Sequence, residues 1–330
     1  MFYKGKVVLV AGGTGFVGSH IVQELLKADA KVRIPVHKRP LIIKDKRIET
    51  IKADLTIQED CLKVLKGVDY IFHAAGSVGA AAISGFDSMV SIATNLILTA
   101  QMLQAAWQSN VERFLLFSSS TAYPPTDHPV KEEEMWSGSP HPTYSGYGWM
   151  RRYFEKLGEF VSSISNMKIA IVRPTTIYGS WDNFDLTTCH VIPALIRKAV
   201  EKHNPYEVWG SGEEVRDLLH VSDLARGCLL ILEKYATCDP LNLGYGKPVK
   251  IKEVVQIILK AADHERAKVI FNVSKPSIIP FRAVDISMAK RILGFEPKVY
   301  LKEGLKDTVA WYTQTRNSLI KCNNLKGLSY

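Results

Sequence analysis

The sequence predicts an α/β protein with a doubly wound parallel sheet and a second, smaller α/β lobe that binds substrate. Short β-rich runs alternate with amphipathic helical stretches through the first half of the chain. This alternation is typical of a parallel sheet covered by helices on both faces. It stops after residue 174, where Gly, Pro, Trp and Asn interrupt the pattern, so we expect the chain to leave the sheet there.

The predicted elements follow from this pattern in chain order. The strands of the sheet are placed at residues 6–10, 31–36, 48–52, 70–73, 113–118 and 168–173. The helices between them are placed at 15–28, 58–66, 88–109 and 146–165. A strand and helix over 216–234 are expected to return to the first domain, and tail helices are placed at 252–262, 286–293 and 301–314. The prediction is a dinucleotide-binding domain of residues 1–174 and 216–243 and a substrate lobe of residues 175–215 and 244–330.

Composition argues against several classes of protein. A hydrophobic content of 46% and a charged content of 23% are those of a folded globular protein. We expect a cytoplasmic protein, because no apolar run reaches membrane-spanning length and the N-terminal residues lead directly into a strand. The net charge of +9 is spread along the chain, which favours acidic small ligands over nucleic acid. The five cysteines show no metal-ligand spacing, so no metal site is predicted.

A glycine-rich turn follows the first predicted strand. Gly12, Gly15 and Gly18 have the spacing that permits a tight turn, approach of backbone N–H groups to a pyrophosphate, and packing of the next helix on the strand. Phe16 and Val17 lie in the same turn. At the first strand–helix junction of an alternating chain, this pattern predicts a Rossmann dinucleotide site.

The end of the second strand bears on the choice of cofactor. It carries His37, Lys38 and Arg39 and no carboxylate, so a 2′-phosphate is favoured over a free ribose hydroxyl. The predicted cofactor is NADP, and tightly bound NAD is the alternative. If the three basic residues have no role in binding, they form a solvated loop. Further cofactor contacts are expected after the third and fourth strands, from Asp54, Leu55, Ala74 and Ala75.

Proton-transfer chemistry is suggested by three residues that follow the fifth predicted strand, namely Ser119, Tyr147 and Arg151. Hydride transfer at a carbinol carbon needs a group that takes or gives the hydroxyl proton at the same time. Tyr147 and Arg151 are four residues apart, which puts them on one face of a helix and lets the cation stabilise a phenolate. The hydroxyl of Ser119, at a strand end, can hold the substrate oxygen.

In this order after the glycine turn, these residues resemble the extended short-chain dehydrogenase/reductase superfamily, in its sugar epimerase/dehydratase group. The resemblance runs from Lys6 to Tyr312. It implies Ser119 as the catalytic hydroxyl, Tyr147 as the acid/base, and Arg151 in place of the usual lysine. Glu155 follows Arg151 at the expected helical position. The resemblance also implies a supporting role for Asn95, a place beside the nicotinamide for Pro174, and a homodimer through helices 88–109 and 146–165. Apolar residues at helical spacing support that dimer: Ile92, Leu96, Leu103 and Trp107.

Four segments further resemble the subgroup of GDP-L-fucose synthases: Ser77-Val78-Gly79 and residues 182–185, 190–197 and 208–212. The resemblance implies that His190 is an acid in epimerisation, that Trp209 flanks the guanine and that Arg216 faces the diphosphate. His190 could instead be a helix N-terminal residue without chemistry. The substrate-binding residues implied by this resemblance are Asn183, His190, Val191, Leu195, Trp209 and Arg216.

One departure from the subgroup shapes the predicted reaction. Thr121 stands where the subgroup has a cysteine, and an alkyl hydroxyl does not remove a carbon-bound proton near neutral pH. The sequence therefore predicts NAD(P)-dependent redox chemistry at C4 of a GDP-linked sugar, by a reductase, dehydrogenase or C4 epimerase. The alternatives are a full GDP-4-keto-6-deoxyhexose 3,5-epimerase/4-reductase and, because of Arg151, a non-catalytic cofactor-binding sensor.

Overall fold

The computed structural model describes residues 2–76, 86–275 and 279–324. Within these residues, seven strands form one parallel sheet: β1 (Val7–Ala11), β2 (Lys31–Val36), β3 (Ile48–Lys52), β4 (Tyr70–His73), β5 (Arg113–Phe117), β6 (Lys168–Pro174) and β11 (Pro240–Leu243). The spatial order is β11-β6-β5-β4-β1-β2-β3, so the order reverses between β1 and β4. Ligands of open α/β sheets bind at the carboxyl ends of the strands beside such a switch point.

Helices cover both faces of the sheet, which confirms the predicted doubly wound fold. Because side chains alternate along a strand, Val8 and Val10 of β1 face one core while Leu9 and Ala11 face the other. The helices of the first face are α1 (Phe16–Lys27) and α6 (Val221–Lys234). Those of the second face are α2 (Gln58–Val64), α3 (Phe86–Gln108) and α4 (Ser145–Ile164).

Helix α3 corrects one sequence-based expectation. Its segment Met89–Gln108 is long and apolar enough to cross a membrane by length and composition, although no such run was expected. Met102, Leu103, Ala105 and Ala106 of this segment are buried in the sheet core. A helix packed against the core of a domain can meet the same criterion, and one such helix is weak evidence of a membrane span.

The apolar residues expected to form a dimer face on α3 are mostly not exposed. Leu103 is buried, and Ile92 and Leu96 pack against the protein's own core, so these three residues do not form an exposed apolar face. Trp107 is exposed as expected. Helical spacing identified an apolar stripe correctly but did not say which surface it packs against. The large apolar side chains that are exposed on the two helices include Ile97, Trp107, Trp149, Tyr153, Phe160 and Ile164.

The second lobe has its own hydrophobic core. Its helices are α5 (Val191–Val200), α7 (Ile251–Ala261) and α9 (Leu301–Asn324), which pack with the parallel pair β8 (Tyr206–Trp209) and β13 (Val269–Asn272). Two small sheets lie beside this core. They are β12 (Val249–Lys250), β9 (Val215–Arg216) and β14 (Phe281–Arg282), and the pair β7 (Thr176–Tyr178) and β10 (Leu218–His220).

Two segments pack against a different part of the protein from the domain to which the sequence assigned them. Residues 216–220 do not extend the central sheet, because β9 and β10 pair with strands of the small sheets. Conversely, Ala289 and Leu293 of α8 (Ser287–Leu293), with Phe295, are buried in the core formed by α1, α6 and the sheet, although residues 244–330 were assigned to the lobe. The apolar spacing of these residues predicts a buried face without indicating which core receives it.

Candidate active site

The glycine turn between β1 and α1 requires glycine at two positions. Gly12 has φ of +81°, and a Cβ there would lie 2.6 Å from the carbonyl oxygen of Ala74. A Cβ on Gly18 would lie 2.0 Å from the carbonyl oxygen of Gly12. In the described structure no side chain caps the N terminus of α1, and its first turn holds no acidic residue. This turn therefore suits the pyrophosphate of a dinucleotide, whose charge the helix N terminus attracts.

The basic residues after β2 are exposed and close to the turn after β3. The Nε2 atom of His37 lies 3.7 Å from the Oδ2 atom of Asp54, while Lys38 and Arg39 are exposed to solvent. Hydrogen bonds from Thr56, followed by the charges of His37 and Lys38, lower the pKa of Asp54. Leu55 is buried in the core beside α2, so its side chain packs against protein, and its contact with the cofactor stays a prediction.

A cavity of about 180 Å³ lies at the carboxyl ends of β4, β5 and β6. Ser119, Tyr147 and Arg151 all line it, so residues from separate segments of the chain meet as the sequence predicted. Predicted cofactor-side and supporting residues line the same cavity: Val17, Ala74, Ala75, Pro174 and Asn95.

Tyr147 and Arg151 are in direct contact on α4. The Nη2 atom of Arg151 donates a hydrogen bond to the phenol oxygen of Tyr147, and Nη1 donates to the carbonyl of Phe117 at 2.8 Å. The guanidinium carbon lies 4.8 Å from the centre of the Tyr147 ring. A cation that donates to the phenol oxygen stabilises the phenolate, so this pair can take and return a proton.

Ser119 and Thr121 are connected at the end of β5. The Ser119 hydroxyl oxygen accepts a hydrogen bond from the backbone N–H of Thr121 at 3.2 Å and lies 2.9 Å from the Thr121 hydroxyl. A hydroxyl has two acceptor positions and one donor. With both acceptor positions used, Ser119 has its proton left to donate to a substrate oxygen.

A buried ion pair fixes α4 on the sheet beneath this site. Glu155 accepts hydrogen bonds of 2.8 and 2.6 Å from Arg173 at the end of β6, and both side chains are buried. Arg173 also donates to Tyr123 at 2.9 Å and to the carbonyl of Glu132 at 2.7 Å. A buried pair whose remaining donors are satisfied holds its two elements in one geometry. Glu155 therefore supports the catalytic helix.

Two arginines lie side by side in the lobe, and the sequence predicted only one of them. Arg216 on β9 and Arg282 on β14 are paired in the parallel register. Burial, and then the charge of Arg282, lower the pKa of Arg216 to about 10. Neither guanidinium pairs with a carboxylate in the described part of the chain. Two adjacent guanidiniums without an acidic partner are suited to a diphosphate.

Arg282 is also close to the catalytic residues. A small cavity of about 20 Å³ has Thr121 and Arg282 in its wall. One Nη of Arg282 donates to the hydroxyl of Thr176 at 2.9 Å, on the strand that follows Pro174. Arg282 therefore shares a cavity wall with Thr121, whose hydroxyl contacts Ser119. Short strands such as β14 give almost no local sequence signal, and the pairing joins residues 66 positions apart.

The residues predicted on α5 divide between the surface and the core. His190 is exposed at the N terminus of α5, where surrounding protein atoms and then the charge of Arg282 lower its pKa. Val191 is also exposed. Leu195 is 3% exposed in the core of the lobe, so its side chain packs against protein, and its role in substrate binding stays a prediction. The resemblance identified the helix, but only packing shows which face is buried.

The remaining predicted substrate residues are exposed, one in the loop before α5 and one at the end of β8. Asn183 donates to Thr188 at 2.9 Å and accepts from the backbone of Asp185, so it organises the loop before α5. Trp209 ends β8 with its side chain 51% exposed, and the Nζ atom of Lys275 lies 5.6 Å from its ring. The predicted segment 77–79 lies outside the described residues.

The chain is similar to known proteins over nearly its whole length. The sequence model of the NAD dependent epimerase/dehydratase family matches residues 8–244. The GDP-L-fucose synthase of Sinorhizobium fredii is 31% identical over 312 residues, which are 91% of this chain and 93% of that protein. A probable GDP-L-fucose synthase of Oryza sativa is 32% identical over 94% of this chain and 93% of its own. The crystal structure of UDP-glucose 4-epimerase with UDP-glucose from Thermotoga maritima is 25% identical, with a TM-score of 0.83 over 94% of this chain and 99% of that chain.

Proposed function

Because the chain belongs to the NAD dependent epimerase/dehydratase family, we propose that it performs redox chemistry at C4 of a GDP-linked sugar. It is an NAD(P)-dependent enzyme of the nucleotide-sugar epimerase and reductase type. The observation that carries the assignment is the Tyr147–Arg151 contact in a cavity next to the dinucleotide turn. The GDP linkage is supported by the GDP-L-fucose synthases among its relatives.

The described residues divide the work of the reaction. The nicotinamide cofactor supplies or accepts the hydride, and the turn from Gly12 to Gly18 would hold its pyrophosphate. Arg216 and Arg282 anchor the substrate diphosphate, so the sugar extends toward β5. Ser119 donates to the oxygen on C4, and Tyr147 exchanges the proton of that oxygen while Arg151 stabilises the phenolate.

The side chains at positions 121 and 189 favour chemistry at C4 alone, because neither supplies a thiolate base. The Thr121 hydroxyl is connected to Ser119 and stays protonated near neutral pH. Cys189 is the residue before His190, but burial raises the pKa of its thiol to about 11. A protonated thiol does not remove a carbon-bound proton. The alternative reaction is a full 3,5-epimerisation followed by 4-reduction. Neither residue 121 nor residue 189 supplies a thiolate base for it.

Deuterium incorporation tests this assignment. Incubation of the protein with a GDP-4-keto-6-deoxyhexose and NADPH in deuterated water should give reduction at C4 without deuterium at C3 or C5. A sample without protein is the control for incorporation that occurs without enzyme. Rapid incorporation at both carbons would restore the 3,5-epimerase/4-reductase. Cofactor binding without turnover of any nucleotide sugar would favour the sensor.

The basic residues after β2 predict a preference for NADP. A 2′-phosphate can pair with Lys38 and Arg39, and these side chains are exposed and positioned after the second strand. The double variant Lys38→Glu/Arg39→Glu should weaken NADPH binding at least about tenfold while NADH binding stays near the wild-type value. Fluorescence titration at one ionic strength measures both constants. The double variant Lys44→Glu/Lys46→Glu, on the loop that follows, controls for net charge. Equal binding of NADH and NADPH by the wild type would contradict the prediction.

We propose that the protein is a homodimer through the outer faces of α3 and α4. The support is the concentration of exposed apolar side chains on these two helices, among them Trp107 on α3 and Tyr153 and Phe160 on α4. Light scattering at micromolar concentration should give the dimer mass, and Phe160→Glu should give the monomer. The control variant is Ile270→Glu, which places the same charge on exposed β13 in the lobe. A monomer mass for the wild type would refute the proposal.

A further inference from the structure

Arg152, the residue after Arg151 on α4, is a buried arginine that binds backbone rather than substrate. Only 2% of the residue is exposed. Its Nε atom donates a hydrogen bond to the carbonyl of Ala122 at 2.9 Å, and its Nη2 atom donates to the carbonyl of Gly138 at 2.7 Å. An arginine stays charged when it is buried, so its N–H groups need acceptors there. The two bonds attach α4 to the turn that ends at Ala122 and to the loop that contains Gly138.

Two tryptophan rings contact the same guanidinium. The central carbon of Arg152 lies 4.8 Å from the ring centre of Trp149 and 5.2 Å from that of Trp136. The Nζ atom of Lys156 lies 4.9 Å from the ring centre of Trp136. An aromatic face attracts a cation without using its hydrogen-bond donors, so the N–H groups remain available to the two carbonyls. The rings and the carbonyls together restrict the movement of this side chain.

The turn that Arg152 binds carries the hydroxyls of the catalytic site. It is the short 3-10 helix Ser120–Ala122, and the side chain of Ser119 caps its start. Before the turn, Arg151 donates to the carbonyl of Phe117 at 2.8 Å. After it, Arg152 donates to the last residue of the 3-10 helix. Two adjacent arginines of α4 therefore hold the chain on both sides of Ser119.

Close packing limits the movement of this turn in one direction only. A Cβ on Gly148 would lie 2.5 Å from the Cβ of Pro140 and 3.1 Å from the carbonyl oxygen of Thr121. Because Gly148 follows Tyr147, the helix that carries the phenol already approaches the turn closely. This contact prevents the turn from moving toward α4, but it does not prevent movement away. The hydrogen bond from Arg152 opposes that second movement.

We propose that Arg152 is a positioning residue that sets the distance between the hydroxyl of Ser119 and the phenol of Tyr147. These two residues come from different segments and line the same cavity. Both groups must reach one substrate oxygen, and a misplacement of about 1 Å can lower a rate about a hundredfold. The kinetic part of this inference rests on the proposed function, since it assumes that Tyr147 exchanges a proton with that oxygen.

Substitutions of Arg152 test its effect on the chemical step. Arg152→Met keeps most of the side-chain length and removes both hydrogen bonds. With a GDP-4-keto-6-deoxyhexose and NADPH, we expect kcat to fall about tenfold, while KM for the sugar nucleotide and the cofactor dissociation constant change less than about twofold. Arg152→Lys keeps a cation that can donate to one of the carbonyls, so kcat should recover to within about threefold of the wild type.

Trp136→Leu tests the same device from a half-exposed position. It removes one ring contact of Arg152 and should lower kcat about threefold, again with little change in KM. If Arg152→Met does not fold, wild-type kcat in Trp136→Leu would overturn the proposal.

Arg113→Met is the matched control for the loss of an arginine that binds two backbone carbonyls. Arg113 donates to the carbonyls of Leu232 and Glu233 at 2.8 and 2.9 Å, and its guanidinium lies 4.8 Å from the ring centre of Phe2. These contacts are of the same kinds as those of Arg152, but they lie at the start of β5, away from the cavity. Arg113→Met should leave kcat within about twofold of the wild type. An equal loss of kcat in both variants would show that Arg152 acts only through overall stability.

Hydrogen exchange gives a readout that does not depend on turnover. The backbone N–H of Thr121 donates to the hydroxyl oxygen of Ser119, and that of Ala122 donates to the Ser119 carbonyl at 3.1 Å. Arg152→Met should raise the exchange rate of residues 119–123 at least about fivefold, and Arg113→Met should not. Unchanged exchange in this segment, or wild-type kcat in Arg152→Met, would overturn the inference. Faster exchange in a protein that turns over no nucleotide sugar would contradict the proposed function and leave the structural role of Arg152 standing.

Discussion

Tyr147→Phe is expected to lower kcat at least about a hundredfold while cofactor affinity stays near the wild-type value. The substitution removes the one atom that exchanges a proton with the substrate oxygen. It leaves the ring under the guanidinium of Arg151, so packing on α4 changes little. The fold, the glycine turn and the arginine pair are untouched. The loss should therefore appear in the chemical step, and steady-state kinetics with a cofactor titration measures both quantities.

Two other tyrosines serve as controls for this variant. Tyr153 lies on the same helix with its side chain exposed, so Tyr153→Phe should leave kcat unchanged. Tyr144 precedes α4, and the guanidinium of Arg282 lies 5.9 Å from its ring. If Tyr147→Phe kept near wild-type activity and Tyr144→Phe lost it, the acid/base role would pass to Tyr144.

Removing the charge of Arg282 is expected to raise KM for the nucleotide sugar about tenfold to a hundredfold, because a charged hydrogen bond contributes about 1.5–3 kcal/mol. Arg282→Met keeps most of the side-chain volume and leaves Arg216 as the only cation of the pair. Arg216→Met should have an effect of the same size. Both variants should retain kcat, since the diphosphate is anchored equally in the ground state and the transition state.

Arg291→Met is the matched control, because Arg291 is an exposed arginine on α8. It should leave KM unchanged, which excludes an effect of net charge on a chain with an excess of nine positive charges. The three variants are compared by steady-state kinetics with one GDP-sugar at fixed ionic strength. Unchanged KM in Arg282→Met would show that this guanidinium belongs to the lobe packing and not to the substrate site.

Local chemistry made much of the catalytic site predictable. Gly12 and Gly18 could be identified because a turn that approaches its own backbone this closely tolerates no Cβ. Tyr147 and Arg151 could be paired because residues four apart share a helix face. The six predicted strands of the sheet were found because they are short β-rich runs at regular spacing. The seventh, β11, is four residues long and contains Pro240 and Asn242, so it gave no such signal.

The sequence by itself determined the doubly wound fold, the dinucleotide turn, and a tyrosine–arginine pair following a serine, because each depends on neighbours within a few residues. Only the tertiary structure decided that Arg282 stands beside Arg216 and that Leu195 faces the core of the lobe. These features depend on which distant segments pack together, and the apolar or charged character of a single residue does not specify its partner.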